Sequence, residues 1–254
     1  MRTRIPSLVP VLAALAAACG PRAALPQRPP ITDAEASRLE REVVAEMNLA
    51  RTDPDRYALV LEAMLPRFDG KILRRTDGSL LQTDEGAPAV REAIAALRAM
   101  RPVGRLAFSE GLSAAARDHV RDQGRAGRTG HEGSDGSTPD RRAGRYGRWD
   151  VVLRESIAYG PRTARDVVTG LIIDDAVPDR GHRVNMFDPL LTVAGVACGP
   201  HAGFGAMCVI DYAGRFRDGA PPRAATPVTT DRGRSAGSAR TSGVAPRKFV
   251  ARAR

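Results

Sequence analysis

Cys198 and Cys208 bracket the run Gly199-Pro200-His201-Ala202-Gly203-Phe204-Gly205, with apolar β-type segments on either side. Glycine and proline at this density mark a turn. The chain is therefore expected to double back as two strands, residues 192–198 and 205–212. A hairpin fixes both the neighbour and the direction of each strand, so this short stretch already commits the chain to an antiparallel pair.

The state of the two thiols follows from the compartment, and the N-terminus speaks to that. Arg2 and Arg4 precede an apolar stretch, Leu8 to Leu15, that is far too short to span a membrane as a mature helix. The pattern reads as an export signal over residues 1–19. It ends in Ala16-Ala17-Ala18-Cys19-Gly20, where small residues before a cysteine resemble a bacterial lipobox. In that reading Cys19 is acylated and anchors the mature protein to a membrane. The alternative is ordinary signal-peptidase cleavage near the alanine run, with release to the periplasm or the exterior. Either way, Cys198 and Cys208 remain as an even pair outside the reducing cytoplasm, which reads as a disulfide rather than two buried thiols.

Charge is unevenly placed. The chain of 254 residues is formally +10, yet residues 215–254 carry ten Arg or Lys against two Asp, and residues 1–30 carry four Arg and no acid. Residues 31–214 are therefore at −2. A nucleic-acid-binding domain carries its positive patch on the fold, so that class is excluded and no nucleic-acid partner is expected. The basic tail reads as disordered, with affinity for anionic envelope polymers as its functional reading and solubility as its bland one. Aromatic residues are only 4% of the chain, so Ala, Leu and Val must fill the core.

Between a linker at residues 20–31 and the tail, periodicity predicts mostly helices. Thr32-Asp33-Ala34-Glu35 reads as a capping box opening a helix that carries Leu39, Val43 and Met47. Pro54 restarts a second helix, Ala89 to Met100 forms a third, and Ser109 caps a fourth through about Ala126. A short helix is expected from Pro139 to about Tyr146, and another from Thr163 to Ile173. Residues 66–86 read as a polar loop. Helices first and late antiparallel strands make an α+β domain, expected over residues 32–214 as a monomer.

Three groups stand out against this frame: His131 in Thr129-Gly130-His131, Glu155 in Arg154-Glu155-Ser156-Ile157-Ala158, and His182 in Arg180-Gly181-His182-Arg183-Val184-Asn185. Asn48-Leu49-Ala50-Arg51 and the stretch from Leu112 to His119 precede them, and Asp211-Tyr212-Ala213 follows. In this order the set resembles the CAP superfamily (cysteine-rich secretory proteins, antigen 5 and pathogenesis-related proteins), in its bacterial SCP-like branch. The resemblance covers roughly residues 33–214.

The resemblance implies a CAP-type α-β-α sandwich with a small, largely antiparallel sheet. It also implies a cleft with two histidines and two acids, which in some members binds Zn²⁺, Mg²⁺ or Ca²⁺. By motif these groups are His131, Glu155 and His182, with Asp174 preferred over Asp175 as the second acid. Ser156 stands where the family usually has Asn. Neutral imidazoles with carboxylates suit a divalent ion, and Zn²⁺ best. His119 reads as structural and His201 as solvated in its loop. Arg183, Asn185, Asn48 and Arg51 read as braces.

Two functions are consistent with these residues. One is an exported, non-enzymatic domain that binds a divalent metal and a lipid or envelope ligand. The other is a metal-assisted hydrolase of peptide or glycan, with Glu132 or a spare aspartate as base. Neither Ser134 nor Ser156 lies in a Gly-x-Ser-x-Gly elbow, so a serine hydrolase is disfavoured.

Overall fold

The computed structural model of the protein describes residues 31–219, apart from Asp77. Cys19, the leader and all but the first few residues of the basic tail lie outside the described residues.

Helix α1 spans Asp33–Thr52. It opens with the expected capping box, in which Glu35 N–H donates to Thr32 Oγ1 and Thr32 N–H to Glu35 Oε2. Leu39, Val43 and Met47 recur along its inner face and are buried. Helix α2, Pro54–Glu62, follows with Asp53 as its N-cap and proline in its first turn. Residues 66–86 are not the expected loop. They form a three-stranded antiparallel sheet of β1 (Phe68–Asp69), β2 (Ile72–Arg74) and β3 (Leu80–Gln82). Helix α3 covers Ala87–Ala99 and buries Val90, Ile94 and Leu97.

After the short β4 (Ala107–Phe108), Ser109 caps α4, Glu110–Ala126, by accepting the Leu112 N–H at 3.1 Å. Gly127 closes that helix in the left-handed conformation, at φ 65°. Helix α5 is shorter than expected, Pro139–Ala143, because the chain turns at Gly144 into a strand the sequence reading missed, β5, Gly147–Tyr159. Then come α6 (Ala164–Ile173), α7 (Gly181–Phe187), β6 (Val193–Gly199) and β7 (Met207–Asp218). The last strand runs four residues past the expected boundary at 214, because Gly147 to Asp150 pair with Arg215 to Asp218.

The main sheet has the order β4-β6-β7-β5, antiparallel except for the β4–β6 pair. The expected hairpin is β6–β7, with Cys198 opposite Cys208 and a disulfide between them. Strand alternation sorts the sheet's residues between two faces. On one, Val196, Ile210 and Tyr212 join α1, α2, α3 and α6 in the main core. On the other, α4 lies close to β6, because Gly195 offers no side chain: a Cβ there would meet Ser113 N at 2.2 Å. The architecture is therefore the α+β, helix–sheet–helix sandwich expected.

The α4 side holds two small apolar groups. Ala116, Val120, Ile157, Ala197, Met207 and Val209 form one, and Leu112, Ala115, Ala143 and Ala213 the other. Asp211 and Glu155 occupy the sheet positions between them, directly paired across β7 and β5. Among the described residues, no helix is long and apolar enough to cross a membrane.

Candidate functional site

The loop after α4 carries His131, and its backbone is held from three sides. Gly130, at φ 108°, adopts a conformation that favours glycine. Its N–H donates to the Tyr159 hydroxyl at 3.0 Å. Its carbonyl accepts from Gln123 Nε2 at 2.7 Å and from His119 Nε2 at 2.9 Å. The Tyr159 hydroxyl in turn donates to Gln123 Oε1 at 3.0 Å. His119 is fully buried, as its structural reading requires, and burial pushes its pKa below the ordinary 6.5. Downstream, Gly133 N–H donates to the Ser137 carbonyl, closing a tight turn.

Beneath this loop lies an ion pair. Arg142 Nη2 donates to Glu155 Oε2 at 2.6 Å, and both side chains are 1% exposed. The same guanidinium donates through Nη1 to the carbonyls of His131, at 3.1 Å, and Ser137, at 2.8 Å. A buried charge without a partner is costly, so α5 fixes Glu155 and the loop together. The other Glu155 oxygen, Oε1, meets His131 Nδ1 at 2.8 Å. That carboxylate assigns the imidazole proton to Nδ1, which leaves Nε2 as the lone-pair atom of a half-exposed ring.

His182 is arranged in the same way. Asp174 ends α6 in the left-handed region, at φ 55°. Its Oδ2 accepts the His182 N–H at 2.8 Å, and its Oδ1 meets His182 Nδ1 at 2.6 Å. Arg180, also left-handed, donates to the Asp174 carbonyl at 2.7 Å and grips Glu85 through both guanidinium nitrogens. That grip, with the Ala176 N–H, holds the Glu85 carboxyl down at about 2. Asp175 takes no part in the His182 pair; its oxygens accept the N–H groups of Asp84 and Glu85. Of the two aspartates, Asp174 is the one in contact with His182.

The two pairs sit on adjoining elements, since Asn185 of α7 reaches the Glu155 carbonyl at 3.4 Å and Ser156 Oγ at 3.5 Å. The structure thus brings the four expected residues together as two His–carboxylate pairs. It does not bring them together as four ligands of one ion. Glu155 spends its oxygens on His131 and Arg142, Asp174 spends its own on His182, and both carboxylates lie buried behind their rings. Among the described residues no group of three or more His, Cys, Asp or Glu is placed to hold a metal ion. The residues present do not fit a four-ligand centre. Their chemistry is that of two imidazoles fixed from behind by carboxylates, each with one nitrogen turned outward.

Arg142 and Asp211 also belong to this site. Asp211 is fully buried opposite Glu155, and no N–H or O–H donor among the described residues reaches its oxygens, so a carboxyl–carboxyl hydrogen bond with Glu155 requires a proton on the pair. Burial first, and the neighbouring Glu155 charge second, push its carboxyl well above the ordinary 3.8, while Arg142 opposes them. His201 also departs from expectation. It is buried, its Nδ1 accepts the N–H groups of Gly203 and Phe204, and its Nε2 donates to the Arg128 carbonyl. Asn48 and Arg51 are braces: Asn48 pairs with both backbone groups of Leu106, and Arg51 donates to four carbonyls. Arg183 holds Glu92 through both carboxylate oxygens.

Comparison with known proteins agrees with the resemblance read from the motifs. Residues 91–212, which include all four site residues, match the family model of CAP, the cysteine-rich secretory protein family. Two solved structures are similar at 18% identity, each over 44% of this chain. One is an extracellular protein containing a SCP domain from Bacillus anthracis str. Ames, with a TM-score of 0.36 over 34% of its length. The other is an outer surface protein from Borrelia burgdorferi, with a TM-score of 0.38 over 78% of its length. The chain spans about a third of the first of these proteins. No curated protein matches.

Proposed function

We propose that this CAP-domain protein is exported and binds a lipid or other cell-envelope ligand without transforming it, through the face that carries His131 and His182. The observation that carries the reading is the paired geometry: each ring is anchored at Nδ1 by a buried carboxylate. Two preoriented Nε2 lone pairs accept hydrogen bonds from ligand hydroxyl or amide groups without first being ordered, which lowers the entropic cost of binding. Export is supported by the Cys198–Cys208 bridge, which persists outside a reducing cytoplasm, and by the Arg2-to-Cys19 leader pattern.

A His–carboxylate pair is also the base half of many hydrolytic sites. Ser156, however, is fully buried, and Ser134 is held by Asp122 through both its N–H and its hydroxyl. Neither serine is therefore free to serve either imidazole as a nucleophile, and we read the face as a binding surface.

The test is retention of the full chain on vesicles of total envelope lipid and on purified cell-wall glycan, compared with His131→Ala/His182→Ala. Retention on one of the two that falls in the double variant is the expected result. Equal retention of both proteins on both materials overturns the reading. Fractionation of Cys19→Ser tests the anchor separately: release from the membrane fraction is expected if Cys19 is acylated.

A further inference from the structure

A second feature lies apart from both histidines. A cavity of about 1440 Å³ opens between the first half of α1, the outer face of α4, the β2–β3 turn and the disulfide-bonded β6–β7 turn. Its walls carry Arg75, Arg117, Arg121, Arg125 and Arg162, against only Asp33 and Glu40. This is an excess of positive charge on a fold that is itself slightly acidic.

The acids do not cancel the arginines. Glu40 is spent: its Oε1 accepts the Cys198 N–H at 3.0 Å, and its Oε2 meets Arg117 at 3.1 Å. Arg75 is half-buried, and Arg121 and Arg125 are exposed; none of the three side chains makes a hydrogen bond or ion pair among the described residues. Arg142, Arg165, Arg180 and Arg183, by comparison, are each matched to a glutamate. Arg162 is placed by the turn. Its Nη2 rests against that backbone, 2.9 Å from where a Cβ at Gly205 would lie.

The remaining walls are apolar. Ala36, Val120 and Cys198 are buried at the back, while Leu80 and Phe204 stand exposed at 56% and 52%. Phe204 is held in place by Tyr159 and His201, with ring centroids 5.4 and 5.2 Å away. Guanidinium forks match phosphate oxygens in pairs, better than an ammonium does. An exposed ring and a leucine beside them offer contact to the uncharged part of the same molecule.

We infer that this cavity binds a phosphate-bearing ligand, with Arg75, Arg121 and Arg125 on the phosphate and Phe204 against the uncharged portion. The chemistry is shared by soluble polyphosphorylated molecules and by phospholipid headgroups, and the site is independent of the histidine face.

The test uses the full chain and two probes: sodium tripolyphosphate by calorimetry, and flotation with vesicles containing phosphatidylglycerol against vesicles of phosphatidylcholine alone. Arg75→Gln/Arg125→Gln should weaken binding of the preferred probe by roughly tenfold or more, as loss of two charge-assisted contacts implies. Because the tail is also basic, Arg232→Gln/Arg234→Gln/Arg240→Gln is the control and should leave affinity within about twofold. His131→Ala/His182→Ala should leave the tripolyphosphate affinity unchanged, which keeps failure here distinct from failure of the histidine face. Tripolyphosphate binding assigns a soluble ligand, and binding only to phosphatidylglycerol vesicles assigns a headgroup. No binding of either probe, unchanged affinity in Arg75→Gln/Arg125→Gln, or loss confined to the tail variant overturns the inference.

Discussion

Replacing Asp211 by asparagine tests whether a proton is built into the folded domain. The carboxyl is buried opposite Glu155, no N–H or O–H donor among the described residues reaches it, and its pKa is raised well above 3.8. The folded chain therefore keeps a proton that the unfolded chain releases above about pH 4. The proton belongs to the Asp211–Glu155 pair rather than to one oxygen. Since the folded state binds more protons, stability falls as pH rises from 3.8 toward the raised value, by about 1.4 kcal/mol per pH unit. His119 acts in the opposite sense, because its lowered pKa makes stability rise with pH up to 6.5. It is present in both proteins and cancels in their difference. Urea unfolding of the native chain and of Asp211→Asn at pH 5 and pH 6 gives that difference directly. Native minus variant stability should drop across the interval, by at most about 1.4 kcal/mol, the limit for one proton. A difference that does not change would refute the reasoning and mean that Asp211 is ionised in the fold.

Three further outcomes follow from the geometry. Arg142→Leu leaves Glu155 buried without its cation and should cost about 3–5 kcal/mol in denaturant unfolding; a loss under about 1 kcal/mol would show that water replaces the guanidinium freely. Gly195→Ala places a methyl where Ser113 N lies 2.2 Å away, so α4 must shift, and a loss of about 1–3 kcal/mol is expected by thermal or urea unfolding. Unchanged stability would mean that α4 is not seated as described. Zinc titrated into the metal-free full chain should show no tight one-to-one site, because both carboxylates are committed behind their rings. A submicromolar site abolished by His131→Ala/His182→Ala would reverse that assignment.

Much of the fold was legible because its signals are local. The Thr32 capping box, the Ser109 cap, the stripe through α6 and the cysteine-flanked turn each act within a few residues. Strand β5 was not legible. Its register shifts between Asp150 and Leu153, Val151 takes φ 76°, and Glu155 and Ser156 are buried polar residues, so strict alternation is lost. The three-residue strands of the 66–86 sheet are too short to show a period at all.

At the site, the family pattern found His131, Glu155, His182 and Asp174 but not their roles, since contacts between distant segments decide which oxygen faces which ring. Arg142 was hidden because Asp140-Arg141-Arg142 looks like an ordinary solvated helix face. Asp211 did leave a signal, a lone carboxylate inside the apolar run from Met207 to Ala213.

The line of charge through the α4 side also divides the domain into unequal foldons. On the far face a large continuous core joins α1, α2, α3 and α6 to the sheet, so those elements can be released only with the whole. On the near face the apolar groups number six and four buried residues, separated by Asp211 and Glu155. Lifting α4 and α5 exposes little apolar surface and rehydrates the Arg142–Glu155 pair. The layer that cradles His131 is thus held by less apolar surface, and by more charge, than the layer beneath it.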